Sequence, residues 1–224
     1  MLTRTKGIVL GSIRYKESSV IVKIYTEAYG LQTYIHNSVR KAKAKTSAAF
    51  FQPLTLLDMV VYHDEKKEIH RISELRMAHS YQTVHSNPVK MTVALFISEV
   101  LNKSLHDSLM NKELFEFIFG SLQWFDTNDQ KDFHISFLMK LSVFLGFGVH
   151  TSEEFLIQIK HSSNEGMESV LVNYMDLVLN TDFAHVVSLT KIELSKIIDL
   201  IILYYQAHIE SFGTLKSLKV LREI

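Results

Sequence analysis

The amino-acid sequence predicts an α+β protein in which a small closed barrel of five strands is followed by an all-helical domain. Two observations carry this prediction. The runs up to about residue 80 are short and β-rich, whereas apolar residues recur at helical spacing beyond it. The chain also has two prolines and eight glycines in 224 residues, which favours long regular elements. We therefore expect a barrel domain over residues 1–80 and a helical domain over residues 81–224.

Five runs rich in β-branched and aromatic residues predict the strands. They cover residues 7–15, 20–26, 31–37, 54–62 and 69–78. In the second run Val20, Val22 and Ile24 share one face, the period-two pattern of a half-buried strand. Five short strands with one longer basic connection suit a closed barrel, because closure pairs the edges that would otherwise aggregate.

The helical domain is predicted to begin at Asn87 and Pro88, a typical N-cap and first-turn pair. Apolar residues between 93 and 101 line one face of the helix that follows. Asn111 caps a second predicted helix, and a third is expected to end at Gly146, because glycine tolerates the left-handed conformation of a helix end.

The pattern is weaker in the next stretch and strong again near the end of the chain. It predicts a strand-like alternation at residues 155–159, a loop at 161–166 and a helix at 168–179. Thr190 and Glu193 then form a capping box ahead of a long apolar stripe over residues 194–205. We expect that stripe to pack inward as the core of the helical domain.

Charge and composition exclude several classes of protein. The 24 Lys and Arg balance the 24 Asp and Glu, but residues 1–80 hold thirteen bases and seven acids, so their charge is +6 and that of the remainder is −6. The absence of cysteine rules out disulfides, Cys-ligated zinc, iron–sulfur clusters and thiol catalysis, and a reducing cytoplasm is the expected home. We expect no signal peptide, because Arg4 and Lys6 place charges where its apolar region would be. We expect no membrane-spanning segment, because the strongest apolar run is short and interrupted by Asp199.

Catalytic motifs are not found in the sequence. It has no phosphate-binding glycine loop, no dinucleotide-binding glycine motif, no nucleophile elbow and no zinc-protease helix. The eleven histidines are scattered without the spacing of metal ligands. We therefore expect no enzyme activity, no cofactor and no metal.

One segment carries a concentrated positive charge. Arg40, Lys41, Lys43 and Lys45 lie within six residues, on the connection between the third and fourth predicted strands. Such a cationic loop on a small barrel attracts the phosphates of nucleic acid, and exposed aromatic rings can stack on bases. An ordinary solvated basic loop explains these residues equally well, and the charge split of +6 against −6 favours binding.

Further segments occur in an order that resembles a known family. They are residues 7–10, residues 15–27 with Gly30, Val39-Arg40-Lys41, Phe51-Gln52-Pro53-Leu54, Leu-Gly-Phe-Gly at 145–148, and residues 215–221. In order and spacing they resemble the bacterial RecO recombination mediators, most strongly over residues 7–55. Many members of that family carry four zinc-binding cysteines after the Leu-Gly-Tyr/Phe-Gly position. This sequence has none, so we expect a cysteine-free insert at about 148–180 that folds without metal.

The resemblance implies an OB-fold barrel, followed by a helical domain, in a DNA repair and recombination mediator. Such a protein binds single- and double-stranded DNA and anneals complementary strands. With RecR it helps load recombinase on strands coated by single-stranded DNA-binding protein. The implied location is the cytoplasm, in association with the nucleoid. The alternative is a helical protein-interaction adaptor that does not bind DNA directly.

The DNA-binding residues that we predict are all in the barrel domain. The predicted phosphate contacts are Arg14, Lys16, Lys23, Arg40, Lys41, Lys43 and Lys45, and the predicted stacking residues are Tyr15 and Tyr34.

Overall fold

The computed structural model describes residues 1–15, 19–37, 49–105, 110–159, 165–185 and 189–223, with the backbone alone at residues 165–168. The described residues form two compact units, Met1–Thr127 with Leu215–Ile224, and Asn128–Thr214. The predicted fold class is confirmed, because a closed five-stranded barrel precedes the helices.

The barrel is formed by β1 (Leu2–Tyr15), β2 (Ser19–Thr26), β3 (Gly30–Asn37), β4 (Leu56–Tyr62) and β5 (Ile69–Met77). The strands follow one another around the barrel in the order β1-β2-β3-β5-β4, and β4 pairs with β1 to close it. β1 is long enough to pair with both neighbours, because residues 2–8 lie beside β4 and residues 7–15 lie beside β2. β3 and β5 run parallel and pair over residues 33–35 and 69–71.

β1 begins five residues before the predicted run, at Leu2 rather than residue 7. Its early inward positions are the threonines Thr3 and Thr5, which alternate with the outward Arg4 and Lys6. Because no large apolar residue marks the inward side there, hydrophobic periodicity could not find this part of the strand.

The barrel interior is filled by apolar side chains from all five strands. The buried cluster consists of Val9, Val22, Ile24, Tyr34, Phe51, Leu57, Met59, Val61 and Ile72. Gly7 faces this cluster, and a Cβ atom there would lie 2.6 Å from Cγ2 of Ile24 and 2.8 Å from Cε of Met59. β1 can therefore approach the core closely at this point because residue 7 has no side chain.

The helices of the described residues are α1 (Pro88–Ser104), α2 (Lys112–Thr127), α3 (Phe133–Phe144), α4 (Ser152–Gln158), α5 (Glu165–Asn180), α6 (Lys191–His208) and α7 (Ser217–Glu223). α1, α2 and α7 belong to the unit that contains the barrel. The hydroxyl of Ser98 on α1 donates to the carbonyl oxygen of Leu10 on β1 at 2.6 Å, and Glu99 accepts from the backbone and hydroxyl of Ser217. Within the described chain, no helix has the length and apolar composition of a membrane span.

Asp126, at the end of α2, holds the connection between β5 and α1. Its carboxylate is fully buried and accepts hydrogen bonds from the backbone N–H groups of Gln82, Thr83 and Val84. Burial alone would raise the pKa of Asp126, but these bonds and one from His79 outweigh it and lower the pKa to about 2. The connection is therefore fixed to α2 by an ionised carboxylate.

The second unit contains α3 to α6 and corrects one sequence prediction. Residues 155–159 do not form a strand, because 152–158 are the helix α4, which the side chain of Thr151 caps by accepting from the N–H of Glu154. Phe155 is buried, whereas Ile157 is 69% exposed, so the alternation that resembled a strand does not reflect two buried positions. The predicted capping box of Thr190 and Glu193 is confirmed at the start of α6.

Candidate nucleic-acid interface

The outward side of β1, β2 and β3 presents apolar and basic side chains to solvent. We call it the β2–β3 face and define it by Ile13, Tyr15, Ile21, Lys23, Thr33 and Ile35. Strand pairing sets these residues in rows, with Ile13 beside Ile21 and Ile21 beside Ile35. Directly opposed residues on neighbouring strands lie on the same side of a sheet, so the three isoleucines form one apolar row. Ile13 is 65% exposed and Tyr15 is 41% exposed, which leaves the start of the face open to solvent.

The described basic residues of the prediction lie on or beside this face. Lys23 is half-buried and pairs with Gly11 on one side and Thr33 on the other. Arg14 is exposed and lies opposite Val20, which packs against the barrel core. Arg14 is therefore at the rim of the barrel, next to the face rather than on it.

Tyr34, which was predicted to stack on bases, points into the barrel core and not toward solvent. Its side chain has no exposed surface, belongs to the barrel core and is paired across the sheet with Val22. Burial also raises the pKa of its hydroxyl group. A ring without an exposed face cannot stack on a base, so of the two predicted stacking residues Tyr15 is the one with an accessible ring.

The other predicted residues fall outside the described residues. These are Lys16, Arg40, Lys41, Lys43 and Lys45. In the sequence, Lys16 directly follows Tyr15, and Arg40 comes three residues after Asn37. The ends of these strands are held together there, since the hydroxyl of Ser19 donates to Oδ1 of Asn37 at 2.9 Å.

A second group of cations, which sequence analysis did not single out, lies on the outward side of β1, β4 and β5. Arg4 donates through Nε and Nη2 to the two oxygens of Asp58, at 3.0 and 2.8 Å. Arg76 donates to the same carboxylate, with Nη2 of Arg76 2.6 Å from Oδ2. Two exposed guanidinium groups are thus held on one carboxylate, which leaves the cluster with one net positive charge. Strand register brings these residues together, and the register is not apparent from the sequence.

A cleft of about 720 Å³ lies along the seam between β3 and β5. Its lining includes His36 and Asn37 from the end of β3, Arg71 and Ile69 from β5, and Tyr62 from β4. The Nδ1 atom of His36 is buried and makes no hydrogen bond within the described part of the chain. Burial and the nearby charge of Arg71 lower the pKa of His36, so its imidazole is neutral at pH 7. The cleft thus combines a cation, apolar surface and a neutral imidazole.

Stacked rings hold the connection between β4 and β5, and one of them, His70, lines this cleft. The ring of His63 lies 3.8 Å from that of Tyr29 and 4.2 Å from that of His70. Nδ1 of His70 accepts a hydrogen bond from the N–H of Asp64. Nε2 of His70 therefore carries the proton and donates a hydrogen bond to Oε1 of Gln32. Burial is the main cause that lowers the pKa of His70, and a neutral ring is consistent with both bonds.

Among the described residues, no three His, Asp or Glu side chains are grouped so that they could hold a metal ion. Asp132 of the second unit illustrates this, because its carboxylate accepts from Tyr174 at 2.5 Å, from His185 at 2.6 Å and from Gln130 at 2.6 Å. Its oxygens are engaged in hydrogen bonds within the protein.

Comparison with known proteins places the chain in a family. The model of the recombination protein O N-terminal domain matches residues 1–81, and the model of its C-terminal domain matches residues 85–157. The chain belongs to the RecO family. Its relatives include proteins named DNA repair protein RecO from Flavobacterium psychrophilum, at 31% identity, and from Christiangramia forsetii and Flavobacterium johnsoniae, each at 32% identity. In each case the alignment covers 100% of this chain and 99% of the relative.

Membership in the RecO family supports a function in DNA repair and recombination. The OB-fold-like barrel occupies most of the segment that matches the N-terminal family model. The relatives are named as DNA repair proteins, and neither matching model describes an enzyme.

Proposed function

We propose that this RecO family member is a non-enzymatic mediator that binds single- and double-stranded DNA through its barrel and anneals complementary strands. We further propose that, with RecR, it helps load recombinase on strands coated by single-stranded DNA-binding protein, in association with the nucleoid. The observation that carries the proposal is the β2–β3 face. It presents exposed Ile13 and Tyr15 beside Lys23 and Arg14, at the point where the chain continues into Lys16 and into the basic segment from Arg40.

The β2–β3 face and its rim carry the two kinds of side chain that contact a single strand: the cations Lys23 and Arg14, and the exposed Ile13 and Tyr15. Cations along a groove release counterions from the phosphate backbone, which supplies affinity without reading sequence. Exposed apolar and aromatic side chains then give the bases a surface to stack on. Barrels of this fold bind oligonucleotides through the same side, that of strands 2 and 3.

Annealing follows from binding that is independent of sequence. Two complementary strands repel each other, and salt screens that repulsion only in part. A domain with a net charge of +6 over residues 1–80 reduces the repulsion by neutralising phosphates on both strands. We therefore assign DNA binding to residues 1–80. Residues 81–224, with the cysteine-free stretch at about 148–180, supply the helices, of which α1, α2 and α7 lie in the same compact unit as the barrel.

Fluorescence anisotropy of the full chain with a labelled single-stranded oligonucleotide, at a series of salt concentrations, tests this proposal. We expect binding at low salt that weakens linearly when log affinity is plotted against log salt, and similar affinity for an unrelated sequence. Absence of binding at low salt would contradict the proposal and favour the protein-interaction adaptor.

A further inference from the structure

The apolar row of the β2–β3 face continues around the barrel beyond β3. Strand pairing places Ile35 beside Arg71, Arg71 beside Tyr62, and Tyr62 beside Leu2. Together with Ile13 and Ile21, these residues form one outward row across all five strands, which we call the outer stripe. The row starts at Ile13, near the end of β1, passes around the barrel and ends at Leu2, the first residue of β1. It does not close on itself because the strands of a closed barrel are staggered.

The exposed apolar surface of the barrel is concentrated along this stripe. Within the described part of the barrel, the large apolar side chains that are exposed are Met1, Leu2, Ile13, Tyr15, Tyr62 and Ile69. Leu2, Ile13 and Tyr62 are members of the stripe, and each of the other three is one or two residues along a strand from a member. Exposed apolar groups that follow one line, rather than being scattered singly, mark a binding surface.

The middle of the stripe offers contacts of two kinds. Arg71 is exposed and lines the cleft at the seam of β3 and β5, with Tyr62 and Ile69 beside it. The carboxylate in the cleft lining, Asp64, is paired with Lys67 at 3.6 Å, so it adds little net negative charge.

We propose that a single DNA strand follows the outer stripe past β3, over the cleft, to Tyr62 and Leu2. This inference rests on the proposed function and defines the path of the strand. The stripe spans five steps between neighbouring strands of roughly 4.8 Å each, or about 24 Å. At about 3.4 Å per stacked nucleotide that length holds about seven nucleotides, whereas the two steps from Ile13 to Ile35 hold about three. In the extended part Arg71 contacts a phosphate, and Tyr62 stacks on a base.

The test compares two arginines of the same strand. Arg71 lies on the stripe, whereas Arg76 is also exposed but is paired with Asp58, away from the stripe. Affinities of wild type, Arg71→Ala and Arg76→Ala are measured for oligothymidines of four and fifteen nucleotides over a salt series. For the longer oligonucleotide we expect Arg71→Ala to lower affinity several-fold and to flatten the salt slope by about 0.7, the value for one phosphate contact. We expect Arg76→Ala to change neither quantity, and the four-nucleotide strand to bind all three proteins alike.

A second pair of variants separates stacking from charge. Tyr62→Ala should lower affinity for the longer strand about fivefold or more without changing the salt slope, whereas Tyr62→Phe, which keeps the ring, should bind as wild type does. Equal losses for Arg71→Ala and Arg76→Ala, or no loss for Arg71→Ala, would overturn the extended path while leaving DNA binding in place. Failure of wild type to bind either strand would instead overturn the proposed function, and the path with it.

Discussion

Asp126 is the residue that contributes most visibly to fixing the segment between β5 and α1. Its carboxylate is buried and accepts three backbone N–H groups of that segment, and Nζ of Lys90 binds the carbonyl oxygen of the same residue at 3.0 Å. In the sequence, residues 80–87 simply lack a regular period. A contact between residues more than 40 positions apart in the chain leaves no pattern that local spacing can reveal.

Asp126→Asn should destabilise the protein by about 2–3 kcal/mol at pH 7, because an amide presents N–H groups to backbone donors and removes the charge that strengthens their bonds. The pKa of Asp126 is lowered to about 2, below that of an unfolded aspartate, so its contribution is complete above about pH 4 and is lost as pH falls from 4 to 2. Urea unfolding at pH 7 and pH 3 checks this, with Glu68→Gln at an exposed carboxylate as the control. If both variants lost equal stability at pH 7, the role of Asp126 would be refuted.

The identity of Tyr34 alone does not decide whether its side chain faces the barrel core or the solvent. A tyrosine has an apolar ring and a polar hydroxyl group, so its identity is compatible with either face of a strand. The register of β2 and β3, which pairs Tyr34 with the buried Val22, determines that it points inward. Tyr15, by contrast, belongs to the last pair of the β1–β2 register, with Ser19, and remains exposed.

At the scale of elements, close packing inside the barrel requires a glycine in β1. Gly7→Ala should destabilise the protein by about 1–3 kcal/mol, because the new methyl group would lie 2.6 Å from the side chain of Ile24. Gly120→Ala, in α2, is the matched control. A Cβ atom there meets nothing within 4 Å, so the change should stabilise the helix by about 0.8 kcal/mol. Thermal unfolding of the two variants should shift in opposite directions, and equal shifts would contradict the packing described for β1.

The elements that sequence analysis predicted correctly are those whose signal is local. The capping box of Thr190 and Glu193 and the N-cap of Asn87 depend on residues within one turn, and both are present. α4 was predicted as a strand, because seven residues are too few for helical periodicity to outweigh a chance alternation of Phe155 and Ile157.

At the scale of the whole molecule, the fold class follows from period and composition, whereas the surface does not. The charge of +6 over residues 1–80 is available from counting, and it points to the barrel as the candidate site. The arrangement of that charge depends on pairing between strands, which is why Arg4, Arg71 and Arg76 were not recognised as surface groups of interest. The outer stripe likewise can be recognised only when the register of all five strands is known.

The central proposal is that the basic residues of the barrel domain neutralise DNA phosphates. The most direct test replaces Arg40, Lys41, Lys43 and Lys45 by alanine and compares salt titrations with wild type on two unrelated single strands. A control variant removes four exposed lysines of the helical region, Lys131, Lys196, Lys216 and Lys219, and so has the same net charge. Circular dichroism verifies that all three proteins are folded.

At about −0.7 per phosphate, loss of four contacts should flatten the slope of log affinity against log salt by up to roughly 3 units, equally for both sequences. The control variant should keep the wild-type slope and annealing rate. The quadruple variant of the basic segment should anneal strands more slowly than wild type. A folded quadruple variant with the wild-type slope and annealing rate would contradict the account.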